Sequence, residues 1–121
     1  MARSSHKDLI VWQKSMDLAV EVYALTKQFP ADERFRMVDQ VTRAVASVPT
    51  NIAEGHGRDS KKDFSRFLSI SKGSLLEVET FLLLAIRLEY LSNGKASKAL
   101  GLVVEIGKML NALKKRLAGA S

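Results

Sequence analysis

Residues 47–58 read SVPTNIAEGHGR, and this stretch decides how the middle of the chain folds. Val48 and Ile52 continue the apolar spacing of the residues before them, in steps of three and four that are typical of a helix seam. The helix is therefore expected to run through Pro49. A proline inside a helix removes one hydrogen bond and crowds the carbonyl four residues earlier, so a kink is predicted near Pro49.

The polar half of the same stretch is expected to end this helix and begin the next one. Thr50 or Asn51 could donate to the carbonyl that the proline leaves without a partner. Gly55 or Gly57 is the expected C-terminal cap, because glycine accepts the left-handed conformation that often ends a helix. Ser60 then caps the following helix, and an acidic residue three positions later completes a variant of the capping box.

Helical periodicity occurs in four segments, and no segment alternates for long with the period of a strand. The first runs from Asp8 to Phe29, the second begins after Asp32, the third runs from Ser60 to about Leu91, and the fourth follows a turn at Gly94. Four amphipathic helices with short links predict an all-α fold, an antiparallel up-down-up-down four-helix bundle over residues 8–117. Residues 1–7 and 118–121 are expected to be flexible.

Burial is expected to differ between the first and third helices. The apolar residues of the first helix predict one buried stripe, with Trp12, Met16, Val22 and Tyr23 among its members. In residues 75–91 of the third helix, apolar side chains cover nearly every direction. A single bundle leaves each helix an outward face, so the surplus would be an exposed apolar patch. The sequence therefore predicts an oligomer whose interface includes the C-terminal half of the third helix.

Composition limits the class of protein. The chain has 121 residues, 46% hydrophobic and 26% charged, which is typical of one globular domain. It has no cysteine, which excludes disulfides, thiolate zinc sites and a cysteine nucleophile. A long apolar run and the apolar core of a signal peptide are both missing, so a cytoplasmic protein without a membrane partner is expected.

The net charge of +6 favours an anionic partner, with RNA or DNA ahead of a membrane. The candidate phosphate-binding residues lie near the beginning of the third helix or late in the fourth, which the topology places at one end of the bundle as a basic rim. They are Arg58, Lys61, Lys62, Arg66, Lys108, Lys114, Lys115 and Arg116. No helix-turn-helix or RNA-binding sheet is indicated, so the expected contacts are to phosphates and not to bases. The alternative is that these charges only keep the helix ends soluble.

Catalytic and metal sites are not indicated. A Glu-x-x-His pair and zinc-ligand spacing are both missing, and no cofactor is predicted. The serines have no histidine at a helical spacing that would suggest activation. An enzyme acting at the turn around Glu54 is the least favoured hypothesis, because no activated group is visible. Glu54 could pair with Arg58 at i,i+4, cap the turn or meet another subunit.

Two carboxylates, Glu77 and Glu79, lie in the apolar part of the third helix. Two positions apart, they point in nearly opposite directions and are not an acid–base pair. A buried carboxylate needs a cation, and Arg43 on the second helix is the preferred partner. The alternative is that one or both face solvent.

Three stretches carry a resemblance to a known family. They are SVPTNIAEGHGR followed by Ser60, the segment FSRFLSISKGSLLEVET, and the N-terminal DLIVWQKSMDLAVEVYALTKQFP. The chain resembles, from about residue 8 to 117, the four-helix bundle proteins encoded in intervening sequences of bacterial 23S ribosomal RNA genes. Lys72 departs from the family pattern, which usually has a small or apolar residue there.

The resemblance implies an antiparallel bundle that assembles into a ring, a pentamer, with no known enzymatic activity. The chain is also similar to the accessory protein of diversity-generating retroelements, a basic pentameric bundle that binds a reverse transcriptase and nucleic acid. The implied partners are copies of the chain itself, RNA or DNA, and a reverse transcriptase or other ribonucleoprotein component. The leading hypothesis is a non-enzymatic oligomeric bundle that binds nucleic acid. The alternative is a protein-interaction scaffold whose basic charge is incidental.

Overall fold

The computed structural model describes residues 5–119, and these form four long helices without a strand. The helices are α1 (Ile10–Thr26), α2 (Met37–His56), α3 (Lys61–Arg87) and α4 (Asn93–Gly119), with short 3-10 turns at His6–Asp8 and Ala31–Glu33. Both α1 and α3 pack against α2 and α4, so α1 and α3 lie on one diagonal of the bundle. The predicted all-α four-helix bundle is confirmed.

The ends of the chain were predicted to be flexible. Residues 1–4 and 120–121 lie outside the described residues. Residues 6–8 form a 3-10 turn, in which the His6 ring meets the Trp12 ring edge-on with centroids 5.1 Å apart. Residues 118 and 119 continue α4.

The heptad seams form the core. The seam residues Val41, Val45, Val48 and Ile52 of α2 have no exposed surface, and neither do Ile106 and Leu110 of α4. Complete burial of a side chain of this size stabilises the fold by about 1.5–3 kcal/mol relative to exposure. The seam predicted to run through Val48 and Ile52 of the second helix is therefore confirmed, and α4 buries Ile106 and Leu110, four residues apart, in the same way.

The buried stripe predicted for α1 is partly wrong. Val22 is fully buried, whereas Met16 is 41% and Tyr23 is 51% exposed. The core side of α1 instead carries Leu18 and Leu25, which lie at i−4 and i+3 from Val22. Apolar residues occupy two faces of α1, and periodicity alone does not say which face meets the other helices.

Helix α2 continues through Pro49, as predicted, and ends at His56. Thr50 Oγ1 donates to the carbonyl of Ala46 at 2.8 Å, and Asn51 Nδ2 donates to the carbonyl of Ser47 at 2.8 Å. A side chain in a helix reaches the carbonyl four residues earlier, so neither donor reaches the carbonyl that Pro49 leaves unpaired. The expected compensation is therefore not made by these two residues, and the kink angle stays a prediction.

The link between α3 and α4 also differs from the expected glycine turn. Glu89, and no described glycine, adopts the left-handed conformation, with φ 62°. The Ser92 hydroxyl accepts a hydrogen bond from the Lys95 N–H at 3.1 Å. Because Ser92 acts as an N-terminal cap, α4 begins at Asn93, and Gly94 belongs to its first turn.

Tyr90 ties this link to the connection between α1 and α2. Its hydroxyl donates to Glu33 Oε2 at 2.7 Å, and its ring lies 5.6 Å from that of Phe29. The hydrogen bond raises the pKa of Tyr90 above 10.0, and desolvation and the negative charges of Glu33 and Asp32 act in the same direction.

Replacing Tyr90 with phenylalanine should lower stability at pH 7 and have less effect at pH 11. The unfolded phenol titrates near pH 10. Because the pKa of Tyr90 is higher in the folded state, the neutral phenol stabilises the fold fully below pH 10. This stabilisation is lost as pH rises through the raised pKa. Urea denaturation of both proteins at the two pH values measures this. If the free energies of unfolding of wild type and Tyr90→Phe differ by the same amount at both pH values, the assigned hydrogen bond is wrong.

Candidate nucleic-acid interface

The turn between α2 and α3 places the beginning of α3 at one end of the bundle. Of the two glycines considered as the cap of α2, Gly57 has this position, and its N–H donates to the carbonyls of Ala53 and Glu54. The Ser60 hydroxyl accepts a hydrogen bond from the Asp63 N–H at 3.0 Å. The predicted cap of α3 is confirmed.

Gly55 has a different function, because α2 and α3 approach each other closely there. A Cβ at Gly55 would lie 2.7 Å from Phe67 Cβ and 2.9 Å from Phe64 Cδ1. The next residue, His56, meets the Phe64 ring edge-on, with centroids 5.8 Å apart. The absence of a side chain at Gly55 therefore lets two phenylalanines of α3 pack against the end of α2.

Polar side chains join the same two helices further along. Ser74 Oγ donates to Ser47 Oγ at 2.8 Å, and Asn51 Nδ2 lies 2.9 Å from the same oxygen. Ser71 Oγ donates to the carbonyl of Val48 at 2.8 Å. Several residues of the stretch SVPTNIAEGHGR, among them Ser47, Val48, Gly55 and His56, therefore form the contact of α2 with α3, which is a structural role.

At this end of the bundle, α3 and α4 form an open groove of about 620 Å³. Lys61, Lys62 and Arg66 line it from α3, and Lys114 lines it from α4. Ser65, Ser69, Leu117 and Ala118 complete much of the remaining lining. The expectation that the beginning of the third helix and the end of the fourth meet at one end is therefore met by the geometry.

The other late cations of α4 lie elsewhere. Arg116 lines a second groove, formed with the beginning of α1 and about 390 Å³ in volume. Lys108 and Lys115 are exposed and line neither groove. Lys114 and Arg116 are two positions apart on a helix and point in nearly opposite directions. For this reason they line different grooves.

Arg58 and Arg66 share one aromatic ring. Their guanidinium carbons lie 4.8 and 4.7 Å from the centroid of Phe67, a side chain that is only 7% exposed. Arg58 also pairs with Glu54 at 3.8 Å, as the i,i+4 spacing predicts, and Arg66 Nε lies 3.5 Å from Asp63 Oδ1. Sequence spacing did not predict the shared ring, because it depends on how the α2–α3 turn folds.

The remaining charged candidates have local positions. Arg43 pairs with Asp39 on its own helix at 3.3 Å, and Glu77 is exposed while Glu79 is half-buried. Within the described chain, the preferred pairing of Arg43 with these glutamates does not form, and the solvent alternative holds for Glu77. Lys72 Nζ donates to Asn111 Oδ1 at 2.7 Å. This hydrogen bond gives the charged end of Lys72 a partner across α3 and α4.

Two exposed apolar stripes lie on the diagonal pair of helices. The α3 stripe consists of residues that are 40–52% exposed: Ile70, Leu76, Leu83, Leu84 and Leu88. The α1 stripe consists of residues that are 41–70% exposed: Ile10, Met16, Val20 and Tyr23. The outward faces of α2 and α4 are mostly polar. Because α1 and α3 lie on one diagonal, the two stripes face away from each other.

Residues 5–119 contain neither a metal-binding cluster nor a membrane-spanning helix. No group of three histidine or carboxylate side chains in this range could hold a metal ion. No helix in it is both long and apolar enough to cross a bilayer.

Comparison with known proteins identifies a family and a solved structure of related fold. The family model described as "23S rRNA-intervening sequence protein" matches residues 7–112. The crystal structure of a protein with unknown function from the S23 ribosomal protein family of Bacteroides thetaiotaomicron is similar to the chain, with a TM-score of 0.79 and 29% identity. The match covers 88% of this chain and 99% of that one. No curated protein sequence matches the chain.

Proposed function

The chain belongs to the 23S rRNA-intervening sequence protein family, and from this premise we propose that it is a non-enzymatic, homo-oligomeric bundle that binds RNA or DNA through phosphate contacts to its basic rim. The observation that carries the proposal is the groove in which Lys61, Lys62, Arg66 and Lys114 converge from two helices. Cations gathered in this way release counterions from a phosphate backbone, which is the main source of nonspecific affinity.

The chemistry of the groove favours contacts to the backbone over contacts to bases. Within residues 5–119, its polar lining consists of four cations, one carboxylate from Asp63 and two serine hydroxyls. Lysine binds phosphate as a point charge, and contacts to phosphate carry no direct information about the base sequence. We therefore propose binding with little sequence preference and a steep dependence on salt.

The two apolar stripes support the homo-oligomer. Because they lie on opposite sides of the bundle, one copy can place its α1 stripe on the α3 stripe of the next copy, which is a head-to-tail contact. Such a contact removes both stripes from water and repeats until a ring closes. The family resemblance implies five copies. A ring would repeat the basic groove, and the repeated weak phosphate contacts would strengthen one another through effective concentration.

Neutralising the groove should reduce RNA binding far more than an equal loss of charge elsewhere. We expect the triple variant Lys61→Gln, Lys62→Gln and Lys114→Gln to lower the slope of log affinity against log salt by about 2. Fluorescence anisotropy with a labelled 20-nucleotide RNA of mixed sequence, between low and moderate salt, measures this slope.

The matched control is Arg34→Gln, Lys95→Gln and Lys98→Gln at the opposite end, which removes the same charge and should lower the slope less. If the wild-type protein does not bind the RNA even at low salt, the proposed function is wrong. If the two triple variants behave alike, the groove is not the binding site.

Phe35 favours the second candidate function, a protein-interaction scaffold. It lies in the link between α1 and α2, is 85% exposed, and belongs to neither stripe nor to the rim. Exposed aromatic side chains are enriched at protein interfaces. Capture of a protein partner that depends on Phe35, together with no RNA binding at low salt, would support the scaffold.

A further inference from the structure

The paired guanidiniums at Phe67 form a feature distinct from the lysines of the groove. Each guanidinium carbon lies within 5 Å of the same ring centroid, so the two are at most about 9.5 Å apart, the sum of their distances of 4.8 and 4.7 Å. Phe67 itself is nearly buried, so its ring is packed on most sides by the protein. The ring therefore holds two like charges within about 9.5 Å of each other at the surface.

We propose that Arg58 and Arg66 together bind one phosphate group of the nucleic acid, and that Phe67 is the positioning residue for both. The proposal rests on the proposed function and names the chemistry of its main contact. A guanidinium binds a phosphate through two parallel N–H donors, which fixes the geometry as well as adding affinity. Two forks held on one ring can contact different oxygens of the same phosphate.

The donors of Arg66 are suitably arranged for this contact. Asp63 contacts Arg66 at Nε, at 3.5 Å, and the two terminal Nη groups carry the other four N–H donors of the guanidinium. The side chain of Arg66 is 59% exposed, so a ligand can reach it. Arg66 also lines the basic groove, and the pair therefore continues the groove toward the α2–α3 turn.

Arg58 is accessible as well, with 48% of its side chain exposed. Its pair with Glu54 has an N–O distance of 3.8 Å, which is longer than a hydrogen bond. Exposed ion pairs of this kind contribute little stability, so a phosphate can compete with the Glu54 carboxylate for Arg58.

The aromatic ring reduces the cost of binding. A free arginine side chain loses rotamer entropy when it is fixed on a ligand. The contact between a guanidinium and an aromatic face is attractive and limits this freedom before the ligand arrives. Lysine at either position would keep the charge but lose the planar fork and much of the stacking.

The test is a substitution that keeps charge and changes shape. Compared with wild type, the double variant Arg58→Lys and Arg66→Lys should bind the labelled 20-nucleotide RNA about tenfold more weakly, with an unchanged salt slope. The control is Arg36→Lys and Arg87→Lys, the same chemical change at exposed arginines away from Phe67 and outside the rim, which should stay within about twofold of wild type.

A second variant tests the positioning role of Phe67. Phe67→Leu keeps both arginines and should also weaken RNA binding. In the Phe67→Leu background, the two arginine-to-lysine changes should have little further effect, because residues that act as a unit are not additive. A purely structural role of Phe67 would leave the two effects additive.

The outcomes are distinguishable. If the double lysine variant binds RNA as wild type does, the phosphate clamp is wrong and the proposed function stands. If the effects of Phe67→Leu and the lysine changes add, Phe67 does not position the arginines. If the wild-type protein binds no RNA, both the clamp and the proposed function are wrong.

Discussion

Changing Val20 or Leu83 to glutamate should leave a folded protein that no longer assembles. Val20 is 70% exposed on the α1 stripe and Leu83 is 48% exposed on the α3 stripe, so a charge at either position is well solvated in a single copy. In a head-to-tail interface the same carboxylate would be buried without a cation, at a cost of several kcal/mol. Each variant should therefore have the 13.4 kDa mass of one chain in light scattering.

The matched control is Val104→Glu. Val104 is 53% exposed on α4, outside both stripes, so this change adds the same charge at similar exposure. It should leave the mass of the assembly unchanged, and circular dichroism should show equal helicity in all three variants. A monomeric wild-type protein at micromolar concentration, or stripe variants that assemble as it does, would contradict the proposed interface.

A mixture of the two stripe variants separates head-to-tail contacts from symmetric ones. The Val20→Glu copy keeps its α3 stripe, and the Leu83→Glu copy keeps its α1 stripe. One productive contact can form between them, so the mixture should give a dimer of one copy each and nothing larger. In a symmetric interface that pairs like stripes, mixing would not restore this contact.

Replacing Gly55 with alanine should destabilise the fold by about 1–3 kcal/mol, the usual cost of overpacking a core. The added Cβ would lie 2.7 Å from Phe67 Cβ and 3.2 Å from the Phe64 carbonyl oxygen. Neither atom is the end of a flexible side chain, so α2 and α3 would have to move apart. Thermal unfolding measured by circular dichroism should show a melting temperature lower by several degrees.

Gly57→Ala is the control for this effect. Gly57 has φ −79°, which alanine adopts readily, and the nearest atom to an added Cβ is 3.5 Å away. Its stability should stay within about 1 kcal/mol of wild type. If Gly55→Ala unfolds no earlier than Gly57→Ala, the close packing at Gly55 is not present in the protein.

Much of the fold could be predicted from local signals. The seams of α2 and α4 follow a regular heptad spacing, and a helix cap such as Ser60 depends on residues three positions apart. The positions of the helix ends were harder to predict. Glu89, just after α3, adopts the left-handed conformation, and sequence patterns rarely predict this conformation for a residue other than glycine. Residue spacing predicts local structure well when the interacting residues belong to the same turn.

The candidate site was less predictable, because it depends on how helices are rotated in the bundle. All eight basic residues were expected to lie on one rim, yet four line the main groove and Arg116 lines another. The core face of α1 was hard to predict for the same reason. Met16 and Leu18 are both apolar, and only the rotation of the helix decides which of them is buried. The sharing of Phe67 by two arginines requires the packed α2–α3 turn, which no local pattern describes.

The arrangement of the two stripes has a genetic consequence. If copies join head to tail, a mutant subunit that has lost one stripe still attaches through the other and then blocks further growth. A minority of such subunits would leave many rings unclosed, and their loss of function would be dominant over the normal gene. A missense change at Val20 should therefore impair a cell that also makes the intact protein, whereas deletion of one gene copy should not.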